Sequence, residues 1–494
     1  MRELMKRNNN NKTPEIKLSP DQTRVMTHIL DFLGSSDRVF ILKGYAGTGK
    51  TTLLRFLIKE LDRLNHNYKL VAPTGRAAKV MANISKSTGG ATTIHSMIYS
   101  FSGLDEEKLP QDNPTVDSTG QLLLNFEPVK INNDFSTIYI VDESSMIADI
   151  ETKDPTQAKF GSGKLLTELM EYDANPGSKY IFVGDPCQLP PVEQYYSPAL
   201  MPEYFSQHFG VGVQQEQLTQ IMRQDGDNDI VTASKRIRTL WSQAPDSKEE
   251  YGVRKLWGKL PFRNHHNIQF HSSKDQMVEH YVAGIKEEGL NHGVLICRSN
   301  KACNELSATV RERLGLHISY IQEGDLLMVS QNNLLTGLVN GDLVVVNRVT
   351  DQVATLAGLR FRYIKVTDLA NNNVYSSWII EDILFQAQPN LDKMQQTALF
   401  TDFIIRMRKL GIPEKSDRFY KMMMEDPYLN ALRCNYGYAV TCNKAQGGEW
   451  DEVYIDMPRS ITLNPTKPDY QWVYTAMTRA RQTLHLVDDF FYSD

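Results

Sequence analysis

The stretch Gly44–Thr52, GYAGTGKTT, fits the spacing GxxxxGK[ST] without a gap. Gly44, Gly47 and Gly49 let successive backbone N–H groups turn inward, with Thr48 inside the loop. A helix starting there adds the positive end of its dipole, which together makes a cradle for anionic phosphates. In such a loop Lys50 reaches the β and γ phosphates of a nucleotide, and Thr51 offers a hydroxyl to Mg²⁺. Thr52 adds one more hydroxyl at the helix start.

Two further acidic stretches fit the same chemistry. IYIVDE, residues 138–143, is an apolar run ending in two carboxylates. Asp142 is placed to hold Mg²⁺ through water, and Glu143 to take a proton from an attacking water as general base. YIFVGDPCQLPPV, residues 180–192, repeats the pattern, with Gln188 just beyond the strand end, where an amide can sense a γ-phosphate or orient water. GSGK at 161–164 is a decoy: Ala158 stands where the first glycine belongs, and Leu165 where the hydroxyl belongs.

These residues need a sheet to hold them. RVFILKG ends in the glycine loop and TTLLRFLIKELDRL follows with helical spacing. Before them, Ser19 and Pro20 open a helix over 21–33. YKLVAP, GRAAKVMANI, STIYIVDE and KYIFVGD continue a strand–helix rhythm. That rhythm predicts a parallel sheet with helices on both faces. Residues 96–134 break it with turn formers around one apolar run, which predicts an inserted β-hairpin. IVTASKRIRTL, HGVLICRS and NKACNELSATVRERL restore the rhythm after about 215. From 318, short strands with turns at Asn340-Gly341 and Asn371–Asn373 predict a small antiparallel barrel, and QQTALFTDFIIRMRKLG a helix. YGYAVT, EVYIDM and LHLVDD then return to the α/β pattern.

The bulk numbers agree with a globular α/β protein: 494 residues, 41% hydrophobic and 23% charged. A net charge of −5 and a pI near 6.2 leave room for a local basic groove, because screening makes distant charge matter little. The five cysteines form no CxxC pair, so they suggest neither a zinc site nor a disulfide framework. No apolar run reaches membrane-spanning length, and MRELMKRNNNNKTPE reads as a disordered tail over 1–13 rather than a leader. A cytoplasmic location is the expectation.

Taken in order, the motifs resemble a superfamily 1 DNA helicase of the 5′-to-3′ branch, similar to phage Dda-type and RecD-type enzymes. LSPDQ (Leu18–Gln22) resembles the Q motif, GYAGTGKTT motif I, APTGRAAKVM (Ala72–Met81) motif Ia and TIH (Thr93–His95) motif Ib. DESSM, GDPCQLPPV and LTQIMRQ (Leu218–Gln224) resemble motifs II, III and IV. YAVTCNKAQGGEWDEV (Tyr438–Val453) resembles motif V and YTAMTRAR (Tyr474–Arg481) motif VI.

The resemblance implies two RecA-like P-loop domains with parallel sheets. The first carries a β-hairpin pin, and the second an SH3-like β-barrel with a helical insertion. The implied bounds are 14–214 for the first domain, 215–317 plus 435–494 for the second, and 318–434 for the barrel and helices. ATP and Mg²⁺ are the implied cofactors. Gln22 would read the adenine, Gln188 would couple the γ-phosphate to DNA, Arg223 and Arg479 would be arginine fingers, and Gly447 and Glu449 would lie near ribose and phosphates. An arginine suits that task as a planar, permanently charged fork. DNA contacts would come from Thr74, Thr93 and His95, and from Ser299, Asn300, Thr441, Asn443, Lys444 and Gln446. Asn443 stands where the family usually has His, which keeps hydrogen bonding and removes the titratable ring.

The implied partners are single-stranded DNA and forked or tailed duplex, with a protein partner conceivable on the helical insertion around 388–430. Phe101 and Phe126 are candidates to stack at a duplex junction or to pack the hairpin. The enzyme would act as a monomer, in bacterial or phage-infected cytoplasm. Competing readings are a motor subunit of a recombination or repair complex, an RNA helicase of the same superfamily, and a nucleotide-regulated single-strand clamp. An intact Glu143 and two placed arginines argue against the clamp.

Overall fold

The computed structural model describes residues 17–85, 90–104, 124–151, 158–222, 228–386, 388, 390–414 and 416–494. The expected tail, the tip of the expected hairpin and Arg223 lie outside them.

The N-terminal helix Pro20–Gly34 starts where its cap chemistry says it should. Ser19 Oγ accepts from the Gln22 N–H at 3.2 Å, and Gln22 Oε1 accepts from the Ser19 N–H at 3.0 Å. Its buried residues Val25, Ile29 and Phe32 recur at helical spacing on one face. That face covers a six-stranded, all-parallel sheet. Its order is Ala91–Thr93, Tyr68–Ala72, Ile138–Val141, Lys179–Gly184, Val39–Gly44, Val213–Leu218. The inner strands are largely apolar because both faces are buried, and alternate residues feed two cores. Phe40, Leu42, Leu70, Ile140, Ile181 and Val183 pack on one side. Val39, Ile41, Val71, Tyr139, Val141, Tyr180 and Phe182 pack on the other.

The edge strand VQQEQL was not legible in the sequence. It pairs in parallel with the P-loop strand, Val39 opposite Val213 through Gly44 opposite Leu218. An edge position needs apolar character on fewer of its residues, so polarity hid it. The expected domain boundary at 214/215 therefore falls inside this strand, and the first domain runs beyond Leu218.

The second parallel sheet has the order Ile268–His271, Ala480–Val487, Trp450–Ile455, Gly293–Cys297, Ala439–Thr441. Val294, Ile296, Val453, Ile455, Leu484 and Leu486 face one core, and Leu295, Cys297, Ala439 and Tyr454 the other. Between its strands the chain makes five antiparallel strands: Leu326–Val329, Leu343–Leu356, Leu359–Asp368, Val374–Ile380 and Cys434–Tyr436. Leu432 closes the barrel: its N–H donates to Trp378 O at 2.7 Å and its carbonyl accepts from Ile380 N at 3.1 Å. Because Cys434–Tyr436 pairs with Leu326–Val329, the insertion extends past the expected limit of 434. The hairpin turn at Ala357-Gly358 has both residues at positive φ, 52° and 76°, the twist that a two-residue turn requires.

The barrel is pinned to both domains. Arg311, 1% exposed, forks onto Asp325, 0% exposed, at 2.7 and 3.0 Å. Removing one partner of such a buried pair costs about 3–5 kcal/mol. From the first domain Lys79 reaches Asp342 at 2.5 Å and Asp368 at 3.3 Å. The helices Lys393–Lys409 and Asp417–Glu425 share a core of their own around Phe400, Phe403, Met407, Phe419 and Met423. In the first domain, Tyr99–Leu104 pairs antiparallel with Leu124–Pro128, which pairs in parallel with Ala158–Phe160. Phe126 stacks on Phe160 with centroids 4.7 Å apart, so its ring packs the base of the arms; the Phe101 side chain lies outside the described residues.

Candidate functional site

The P-loop joins the inner strand Val39–Gly44, next to the sheet edge, to the helix Lys50–Arg63, at the carboxyl end of the parallel sheet. Gly47 and Gly49 have φ of 79° and 77°, a backbone that side chains rarely adopt. A Cβ on Gly44 would meet Thr48 Oγ1 at 2.8 Å and Lys50 Cγ at 2.9 Å. Lys50 Nζ donates to the carbonyls of Gly44 at 2.6 Å and Tyr45 at 3.2 Å, which holds the ammonium over the loop. Thr51 is exposed and Thr52 half-buried on the first turn of the helix, and Thr48 is buried, donating to Tyr45 O at 2.8 Å.

Asp142 and Glu143 follow the strand Ile138–Val141, which is separated from the P-loop strand by Lys179–Gly184. Burial first, and then the Glu143 charge, push the Asp142 carboxyl up to about 7, while Lys50 and the Glu143 N–H pull it down. A pair of acids this crowded beside an ammonium matches a site that takes a divalent cation. Glu143 is itself in the left-handed region, φ 50°. That conformation costs on the order of 1 kcal/mol and turns the carboxylate off the strand direction. The chain then packs against Gly184, where a Cβ would come within 3.1 Å of the Ser145 nitrogen.

Gln188 is 4% exposed, and its Oε1 has no hydrogen-bond partner among the described residues. A buried acceptor left that way is costly unless a ligand or water meets it, so the residue fits a phosphate- or water-facing role. Gln22 is 1% exposed, and its Nε2 donates to Gly49 O at 3.2 Å. Its amide thus braces the P-loop and caps its own helix; to read adenine it would exchange these bonds.

The second domain closes on this site. Tyr474, on the helix Lys467–Met477, accepts from the Ala46 N–H of the P-loop at 2.9 Å and donates to Asp185 at 2.8 Å. Burial and the Asp185 charge push its phenol well above the ordinary range, so the hydroxyl keeps its proton. Beside it, the Thr475 hydroxyl accepts from Leu189 N at 2.9 Å, and one turn back Gln471 donates to Gln188 O at 3.1 Å. Arg479, at the end of the same helix, is 4% exposed and donates to Thr475 O at 3.0 Å and Gly448 O at 3.3 Å. Across the cleft, burial and the nearby Arg479 charge lower Arg76 to about 10, and its guanidinium lies 4.5 Å over the Trp450 ring. Met222, next to the undescribed Arg223, donates its N–H to Gly47 O at 2.8 Å. Gly447, φ 73°, lies against the first domain, where a Cβ would be 3.7 Å from that of Ala77; Glu449 is exposed.

Sequence reasoning passed over Tyr474, Thr475 and Arg76. Each lies inside a quoted motif, but its partner comes from the other domain, and spacing does not show that. Gln446 also differs from its expected DNA-facing position: it is 4% exposed and donates to Leu189 O at 3.2 Å, spanning the cleft instead.

The remaining expected strand-gripping residues gather at helix starts. Thr74 Oγ1 accepts from Ala77 N at 3.2 Å, Thr93 Oγ1 from Ser96 N at 3.1 Å and Ser299 Oγ from Ala302 N at 3.2 Å. Thr441 is the N-cap of Cys442–Ala445, with Asn443 exposed on that turn. Backbone N–H groups at such ends bind phosphates without reading sequence. Asn300, Thr441 and Lys444 share a cleft with Asn435 and Tyr436 of the barrel. The Asn435 Oδ1 and Tyr436 hydroxyl have no hydrogen-bond partner among the described residues, although both are buried. Burial lowers Lys444 below the ordinary lysine range. His95 instead packs its ring against Tyr99 and Phe160, at 5.6 and 5.1 Å, and burial lowers its pKa.

Comparison with known proteins agrees with this division. Residues 17–246 match an AAA domain, and 436–487 a UvrD-like helicase C-terminal domain. An uncharacterized protein of Acanthamoeba polyphaga mimivirus is 23% identical over 92% of this chain and 97% of its own. The ATP-dependent RecD2 DNA helicase of Deinococcus radiodurans is 27% identical over 46% of this chain, and the ATP-dependent DNA helicase Pif1 of Bdellovibrio bacteriovorus 31% over 36%. The matches span 24% and 34% of those two helicases. A Bacteroides Pif1 structure bound to single-stranded DNA superposes with a TM-score of 0.48 at 16% identity, over 96% of this chain and 93% of that one. Among the described residues, no helix is long and apolar enough to cross a membrane. The P-loop site lies within the residues that match the AAA domain and the closing helix within those that match the UvrD-like helicase C-terminal domain, so the chain is similar to superfamily 1 helicases of the Pif1 and RecD2 kind.

Proposed function

We propose that this chain is an ATP-dependent DNA helicase that moves 5′ to 3′ along single-stranded DNA and separates duplex ahead of it. Tyr474 carries the reading: one hydroxyl joins the P-loop, the Asp185–Gln188 loop and the second domain. A change at the phosphates must therefore be felt across the cleft.

In this reading Lys50 and the P-loop amides hold the phosphates of ATP. Thr51 and Asp142 would hold Mg²⁺, which would supply positive charge against the phosphates. Glu143 takes the proton of the attacking water as its oxygen bonds to the γ-phosphorus and the bond to ADP breaks. Gln188 orients that water or senses the γ-phosphate. Arg479 and Arg223 neutralise charge from the second domain, with Arg76 beside them. Thr74, Thr93, Ser299, Asn300, Thr441, Asn443 and Lys444 grip the backbone in turn as the domains close and open. The hairpin splits the strands, and the chain acts as a monomer. The five cysteines, all free and buried, support a reducing, cytoplasmic setting.

Two fluorescent DNA forks test this, one with only a 5′ tail and one with only a 3′ tail, with ATP and Mg²⁺ and with hydrolysis followed in the same wells. The expected result is unwinding from the 5′ tail alone. Unwinding from the 3′ tail alone would reverse the polarity. Turnover with no strand separation would make the chain a translocase or a subunit, and a preference for an RNA tail would change the substrate class.

A further inference from the structure

A second chemistry-bearing cluster lies in the second parallel sheet. His271 ends the edge strand Ile268–His271, and His485 lies on the adjacent strand Ala480–Val487. Gln269 is the register partner of His485, so His271, two residues on, shares its face. The helix Lys274–Glu288 covers that face and brings His280 to it. One nitrogen from each ring lies within 4.8 Å of the other two. His271 Nε2 and His485 Nδ1 are 3.1 Å apart.

The protons on these rings follow from their other partners. Glu452 Oε2 accepts from the Tyr454 hydroxyl at 2.6 Å, faces His292 Nε2 at 2.8 Å and lies 3.3 Å from His485 Nε2. The Glu452 carboxylate beside His485 Nε2, although no hydrogen bond forms there, favours the hydrogen on Nε2 and leaves Nδ1 with its lone pair toward His271. The Tyr454 oxygen, its own hydrogen given to Glu452, accepts from His280 Nδ1 at 2.9 Å. That leaves the other His280 nitrogen as an acceptor too. Burial first, against the pull of Glu452, holds the His485 imidazole neutral, lowering it to about 3.

We propose that His271, His280 and His485 form a zinc site that staples the edge strand, its neighbour and the covering helix of the second domain. The spacing fits: two nitrogens bound to a tetrahedral Zn²⁺ at about 2.0–2.1 Å lie about 3.3 Å apart. An all-imidazole set selects Zn²⁺ and its transition-metal neighbours over Mg²⁺, which prefers oxygen. Glu452, 3.3 Å from His485 Nε2, puts a carboxylate beside the ring, where one can serve a metal-bound histidine. On binding, the hydrogen shared between His271 and His485 moves to His271 Nδ1, so the site fills without net charge change on the rings. His280 is exposed, so it can swing to close the site, and water takes the fourth position. This inference does not rest on the helicase reading.

The test uses tag-free full-length protein. Metal content is measured by mass spectrometry, and chelator-treated protein is titrated with Zn²⁺ by calorimetry, alone and in excess Mg²⁺. Co²⁺ is added in parallel for its visible absorption. The expected results are about one Zn²⁺ per chain, a four-coordinate Co²⁺ spectrum and a melting temperature raised by Zn²⁺. His280→Ala, at an exposed position, should keep the metal-free melting temperature and lose all three; His485→Gln should lose them too. Zn²⁺ that neither binds nor raises the melting temperature would overturn the site. So would His280→Ala binding Zn²⁺ as tightly as the parent protein.

Discussion

Lys50 is the side chain on which turnover depends most directly. Its ammonium already rests on two P-loop carbonyls, so it is held in place rather than recruited. Lys50→Ala should lower ATP hydrolysis by about 10³-fold or more, the scale of a lost charge clamp on a phosphoryl group. A steady-state ATPase assay with single-stranded DNA reads this, and near-normal turnover would remove the assigned site. Tyr474→Phe tests the bridge instead of the chemistry. It leaves Asp185, 0% exposed, without its Tyr474 donor and the Ala46 N–H without that acceptor. A loss of about 1–3 kcal/mol in stability is expected. Stimulation of the ATPase by DNA should fall about tenfold, equivalent to about 1.4 kcal/mol. Melting and ATPase titrations separate the two effects; unchanged stimulation would make the bridge passive.

The hairpin is the element that converts movement into strand separation in this reading. Its arms pair antiparallel and are anchored at their base by Phe126 on Phe160. That anchoring places Phe126 in packing. Shortening residues 103–128 should spare DNA-stimulated ATPase and abolish unwinding. Unwinding at the parent rate would take the role from the hairpin. The barrel is a different kind of element: Arg311–Asp325 and Lys79–Asp342 join it to both parallel domains. It forms one wall of the cleft that holds Asn300, Thr441 and Lys444.

For the molecule as a whole, net charge and strand affinity separate. The chain carries −5, yet the cleft gathers Lys444 with helix starts that offer N–H groups to phosphate. Binding of single-stranded DNA should therefore weaken about tenfold or more between roughly 50 and 200 mM salt, through counterion release. Fluorescence anisotropy of a labelled oligonucleotide measures this slope. A flat response would contradict a groove that tracks phosphates.

The sequence by itself determined the P-loop, the acidic strand ends and the alternation of the two parallel sheets. Those features are local: a glycine spacing, a carboxylate after an apolar run, and continuous apolar strands each leave a mark within ten residues or so. It also marked the insertions, because turn formers and antiparallel texture interrupt that rhythm. The edge strand Val213–Leu218 escaped because a strand with a free edge can be polar. The bridges of Tyr474, Thr475 and Gln446 escaped because their partners lie over 250 residues away in the chain. Only the tertiary structure could decide that Gln446 spans the cleft, that Arg76 faces Arg479, and that His485 meets His271 and His280. Such contacts depend on which surfaces meet when separate layers pack, and no spacing along the chain encodes that.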